Sequence, residues 1–157
     1  MSGGPDGTGA PSVDEIRASA LGRPFPGGSF VIEPWEAFLV ADAVAADEIS
    51  QHSVHPIQNY FAALGAAGVT LDEMFGWCLS AASEGPMLGS TRLELSRPLE
   101  VGVRYVVEGS FLSVERKRGA RAGVFDIAIF ELTIRDLDAQ LVTRTECSLI
   151  FPRKAAV

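Results

Sequence analysis

The sequence holds few of the residues from which redox and metal centres are built. Only two cysteines, Cys78 and Cys147, occur in 157 residues, far apart and without metal-ligand spacing. Neither a disulfide framework nor a zinc site is expected, and both cysteines read as small apolar core residues. Positive charge is scarce as well. Thirteen basic residues against twenty acidic ones leave a net charge of −7, which argues against nucleic acid or an anionic membrane as the main partner. No stretch approaches the roughly 20 apolar residues of a membrane-spanning helix. Met1 to Pro11 lacks the basic start and apolar run of a secretory signal, so the expectation is a soluble, cytoplasmic protein. What the chain does have is an apolar share of 47% beside 21% charged residues, enough for the core of one domain.

Met1 to about Ser12 consists largely of Gly, Pro, Ser, Asp and Thr and cannot bury enough apolar surface to offset its ordering entropy. Val13 to Leu21 suits a short helical turn or two before Gly22, Pro24, Pro26, Gly27 and Gly28 punctuate the chain. Residues 1–28 are therefore expected to be a flexible tail and leader, and 29–157 a single domain. Ser29 to Ile32 suits a strand, and Pro34 a helix start, with Trp35, Phe38, Leu39 and Ala43 at helical spacing. A polar stretch, Asp47 to Pro56, then holds both histidines of the chain, His52 and His55, ahead of a helical piece from Ile57 to Leu64 that ends at Gly65.

Thr70 and Glu73 form a capping box, with Val69 and Met74 as its hydrophobic staple. The helix that starts there carries Leu71, Met74, Phe75, Cys78, Leu79 and Ala82, is apolar around much of its circumference, and is expected to be buried up to Gly85-Pro86. Everything after Pro86 alternates as strands: Met87 to Leu95, Val101 to Ser113, Gly123 to Ile134 and Leu141 to Phe151. Arg116, Lys117, Arg118 and Arg121 fall on a basic loop between the second and third of these. Strands so close in sequence predict an antiparallel meander. One buried helix and a long meander make an α+β domain in which an antiparallel sheet wraps around a central helix, the hotdog arrangement.

Leu93 to Val103, LELSRPLEVGV, resembles the strand, Arg-Pro, apolar, Gly, strand signature of the MaoC-like hydratases and dehydratases. Val114 to Arg153 is similar to the hairpin and terminal strand of the same group, particularly its dehydratase N-terminal and HadA-like branch, so the resemblance spans roughly residues 30 to 153. It implies a hotdog fold assembled as a homodimer or as a heterodimer with another hotdog subunit. The implied substrates are acyl thioesters of coenzyme A or acyl carrier protein, in fatty acid or polyketide metabolism. No cofactor is implied beyond the coenzyme A or phosphopantetheine that is part of the substrate. The implied reaction is that of an enoyl-CoA hydratase or 3-hydroxyacyl thioester dehydratase. Active members hold the water with an Asp and a His in the pattern Asp-x-Asn-Pro-x-His. One acts as base and the other as acid, while the N-terminus of the buried helix faces the thioester oxygen.

Two registers place this pattern on the chain. With His55 on the family's His, Gly65 matches the following Gly, but Ser50 stands for the Asp, His52 for the Asn and Ser53 for the Pro. With His52 there instead, Asp47 fills the Asp position, while Ile49 and Ser50 replace Asn and Pro. The candidate catalytic residues are thus His55, His52 and Asp47. Asn59 and Tyr60 are polar neighbours, Tyr60 reading as core packing. Arg116, Lys117, Arg118 and Arg121 are candidates for the phosphates of coenzyme A or an acidic carrier surface. Two alternatives stay open. One is a non-catalytic acyl-binding or scaffold subunit paired with a catalytic MaoC-like partner; the other is a hotdog thioesterase using Glu73.

Overall fold

A computed structural model describes residues 9–46 and 54–153. Ser12 caps the first helix, α1 (Val13–Ala20), by a capping box with Glu15. β1 (Gly28–Val31), α2 (Pro34–Ala43), α3 (Ile57–Gly65) and α4 (Leu71–Trp77) follow, then a short 3-10 turn, Ala82–Glu84. β2 (Met87–Leu95), β3 (Arg104–Gly119), β4 (Gly123–Arg135) and β5 (Leu141–Pro152) complete the chain. The strands form one antiparallel sheet in the order β1-β3-β4-β5-β2. Its inner face is a ladder of buried side chains, among them Val107, Ile134 and Thr143 in one row and Phe111, Phe130 and Cys147 in another. α1 and α3 pack on this face. Phe25, Phe111 and Phe130 meet ring to ring at its centre. Among the described residues no helix is long and apolar enough to cross a membrane.

Four expectations are corrected. The packed domain begins with α1 rather than near Ser29, because Ile16, Ala20 and Phe25 are core residues and Leu21 and Pro24 bridge to the edge of β3. The four late strands are not a simple meander: β2 pairs with β5, and the segment around the buried Leu99 carries the chain across to β3. The supposed basic loop is mostly strand, since β3 runs to Gly119 and Arg116 stands opposite Asp126 in register. Finally, α4 has only seven residues. Leu79 is in the left-handed region at φ 51°, and Arg153 takes the carbonyls of Cys78 and Leu79, ending the helix well before Gly85. Met74 and Phe75 are buried, but Leu71 is exposed at 55%.

One glycine fixes how the helices sit. Gly68 has φ +69°, and a Cβ there would lie 2.5 Å from the Gly27 carbonyl oxygen. Only a glycine lets the turn between α3 and α4 pass this close to the leader.

Candidate functional site

Val54 donates its N–H to the Leu99 carbonyl at 3.3 Å, anchoring the chain just before α3. Pro56 already has helical angles, and the Gln58 N–H reaches the His55 carbonyl at 2.9 Å, so the helical turn begins at His55. The His55 ring caps this turn. Its Nδ1 accepts the Ile57 N–H at 3.2 Å. An acceptor at Nδ1 leaves the neutral ring's proton on Nε2, so His55 presents a hydrogen-bond donor from its partly exposed position.

Asn59, fully buried, locks α3 to the sheet. Its Nδ2 donates to the Pro56 carbonyl at 2.9 Å, and its Oδ1 accepts from the Thr143 hydroxyl of β5 at 2.6 Å. Tyr60 lies farther along, toward the edge strand. Burial raises its phenol above the ordinary range, Cys147 adds to this, and a hydrogen bond with Thr91 opposes both. Thr91 itself sits 3.6 Å from the Cys147 sulfur. Two buried polar atoms have no partner among the described residues, Gln58 Oε1 on α3 and Thr145 Oγ1 on β5. Near the far end of α3, an apolar cavity of about 140 Å³ is lined by Leu64, Ala67, Val69, Met74 and Leu132 among others.

Asp47 and His52 lie outside the described residues. Arg116 does not join the other cations. It binds the Asp126 carboxylate through Nε at 2.8 Å and Nη2 at 3.0 Å, and the Pro11 carbonyl at 2.6 Å. Lys117 pairs with Glu115 at 2.6 Å, while Arg118 and Arg121 are exposed at the hairpin end. That end is far from His55. Asp126 and Ile134, which face Arg116 and Thr143, are eight residues apart on β4, roughly 26 Å at the rise of a strand. Glu73 is engaged in its cap, Oε2 accepting both the N–H and the hydroxyl of Thr70 at 2.8 Å. The same cap takes the Glu73 N–H. Gln58 and Thr143 had no signal in the sequence, because both matter through a contact or an orphaned atom that only the tertiary packing creates.

No family model matches the sequence. No curated protein matches it either. Solved structures do. A chain of the ChsH1-ChsH2 complex from Mycobacterium tuberculosis aligns over 92% of this chain and 91% of its own, at TM-score 0.65 and 11% identity. A MaoC-like dehydratase from Phytophthora capsici aligns over 93% of this chain but 51% of its own, at TM-score 0.63 and 11% identity. The HadBC (3R)-hydroxyacyl-ACP dehydratase complex of Mycobacterium tuberculosis gives TM-score 0.52 at 16% identity, over 81% of this chain and 92% of its own. At such identities the likeness is one of architecture, and the chain has the hotdog fold in the form that the MaoC-like dehydratase structures take.

Proposed function

We propose that the chain is a subunit of a hydro-lyase that interconverts 2-enoyl and 3-hydroxyacyl thioesters carried on coenzyme A or acyl carrier protein. The observation that carries this reading is His55, held at the first turn of α3 with its tautomer set by the Ile57 N–H. In that tautomer the ring is a donor, not a base. It serves best as an electrophile, its Nε2–H meeting the thioester carbonyl oxygen as enolate charge develops. A carboxylate takes the proton from C2 and hands it to the departing 3-hydroxyl, so that the C2–H and C3–O bonds break, the double bond forms and water leaves. On this chain Asp47 is the candidate for that carboxylate; a second subunit is the other source.

The need for a second subunit is supported by the exposed surface. No residue of α2 is buried, and Trp35 and Phe38 are 62% and 67% exposed. A helix whose only charged residues are Glu36 and Asp42 and which carries Trp35, Phe38, Leu39 and Val40 is normally covered. Among the described residues β2 is an edge strand whose second edge is open over nine residues. Pairing β2 antiparallel with the β2 of another copy, two-fold about Leu93, sets Arg92 opposite Glu94 twice. Neighbouring registers that keep the same face inward set like charges opposite each other at Arg92 or at Glu94.

The test is crotonyl-CoA and longer 2-enoyl-CoA thioesters offered to the purified chain, alone and with a second hotdog subunit, following enoyl absorbance and free thiol. Loss of absorbance without thiol release, abolished by His55→Ala, is expected. Full rate in His55→Ala, or thiol release in place of hydration, overturns the reading.

A further inference from the structure

Gln58 is more than nine-tenths buried, yet its side-chain oxygen has no donor among the described residues. Such an orphan is costly. A buried acceptor without a partner loses its hydration and gains nothing in return, and native structures keep few of them. An apolar residue of the same length would remove that cost. Something other than stability therefore favours glutamine here.

Its position points to what. Gln58 follows His55 by three residues, and the Gln58 N–H to His55 carbonyl bond makes this a helical turn. His55 precedes α3, and this bond closes the turn that leads into it. The same turn thus carries a donor, His55 Nε2–H, and an acceptor that lacks a donor among the described residues, Gln58 Oε1. Asn59, next along, is not available, since Pro56 and Thr143 already occupy its amide.

A ligand matching this pair needs an acceptor and a hydroxyl close together. A 3-hydroxyacyl thioester has both, a carbonyl oxygen at C1 and a hydroxyl at C3. We propose that Gln58 is a positioning residue that holds this hydroxyl, and in the reverse direction the water that becomes it, while His55 holds the carbonyl. This rests on the hydro-lyase reading of His55. In hydration the water donates one hydrogen to Gln58 Oε1 and its other proton to the base, leaving a lone pair directed at C3. Gln58 gains and loses no proton.

The test compares binding of 3-hydroxybutyryl-CoA, as separate (3R) and (3S) forms, with binding of butyryl-CoA by calorimetry. The protein is the chain in whatever assembly it adopts. In the wild type one enantiomer is expected to bind about tenfold more tightly than butyryl-CoA, the worth of one good hydrogen bond to a buried acceptor. Gln58→Met should erase that preference while the Tm stays level or rises by about 2–4 °C. Gln58→Glu, which keeps an acceptor at the same reach, should retain it. With 2-enoyl-CoA, which has no hydroxyl, Gln58→Met should lower kcat about tenfold and leave KM within about twofold.

No preference in the wild type overturns the proposal, as does a preference that survives in Gln58→Met. Loss of preference with a lowered Tm also overturns it, because Gln58 then has a structural partner. A preference that behaves as expected in a protein with no hydration activity removes the hydro-lyase reading and leaves the hydroxyl site standing.

Discussion

Arg153 donates from Nε to Asp126 Oδ2 at 2.6 Å, with both side chains buried. Arg116 takes the other side of the same carboxylate, so one anion lies between two guanidinium groups at the end of the sheet. Arg153 also holds the carbonyls of Cys78 and Leu79, which joins the last strand to the end of α4. Removing the anion would take from Arg153 its buried counter-charge and leave it only the half-exposed Glu84 at 4.0 Å. Asp126→Asn is expected to cost about 3–5 kcal/mol, the range for breaking a buried pair. Urea denaturation with an unchanged slope measures it. A loss below about 1 kcal/mol would show that the guanidinium groups are solvated without Asp126.

The two cysteines differ in what surrounds them. Burial pushes the Cys78 thiol up to about 12 despite the nearby Arg153, and raises Cys147 as well, with Thr91 acting against the rise. A thiol must ionise to react quickly. At pH 8 an aromatic disulfide reagent should therefore leave the folded protein unlabelled over minutes and release two equivalents of thiolate once urea unfolds it. Rapid labelling of one thiol in the native protein would place a cysteine at a reactive surface instead.

The open edge of β2 makes a prediction about charge. If two copies pair about Leu93, Arg92→Glu puts carboxylates opposite each other twice and weakens the dimer about tenfold at low salt, while Arg92→Glu with Glu94→Arg restores it. Within the chain Arg92 and Glu94 also touch, at 3.0 Å, but both are well exposed and that contact is worth little. Sedimentation at several protein concentrations decides the matter. Equal dimerisation in all three proteins would mean that the edge pairs in another register or not at all.

These properties differ in how far they could be read ahead of the structure. Thr70 and Glu73 stand three residues apart at a helix start, and the cap forms as the spacing predicts. Ser12 and Glu15 carry the same signal and the helix over Val13 to Leu21 is legible, but its Gly- and Pro-rich neighbourhood hides the fact that it packs on β3. Arg116 looked like one of four loop cations because its partner, Asp126, lies across a hairpin. Continued alternation from Val114 to Arg116, three residues before Gly119, with an acid three residues beyond Gly123, was the available clue. The pairing of β2 with β5 had none, since the residues that meet are 48 to 63 positions apart. His55 was legible as one of two histidines beside a proline; its tautomer was not, because that depends on where the Ile57 N–H points.

Glu73 gives a test by acid that separates its capping role from a catalytic one. Hydrogen bonds from the Thr70 backbone and side chain hold its carboxyl below the ordinary glutamate range. The folded state therefore binds this proton less readily than the unfolded chain. The stabilisation is fully present above the unfolded carboxyl's range and is lost as pH falls through the lowered folded value. Glu73→Gln should accordingly melt below the wild type at pH 7, and the gap should close as pH is lowered toward 3. A capping group gives this pattern with little change in turnover, whereas a catalytic Glu73 would stop turnover in Glu73→Gln at every pH. A gap in Tm that persists unchanged to pH 3 would show that the carboxylate's charge contributes nothing to the cap.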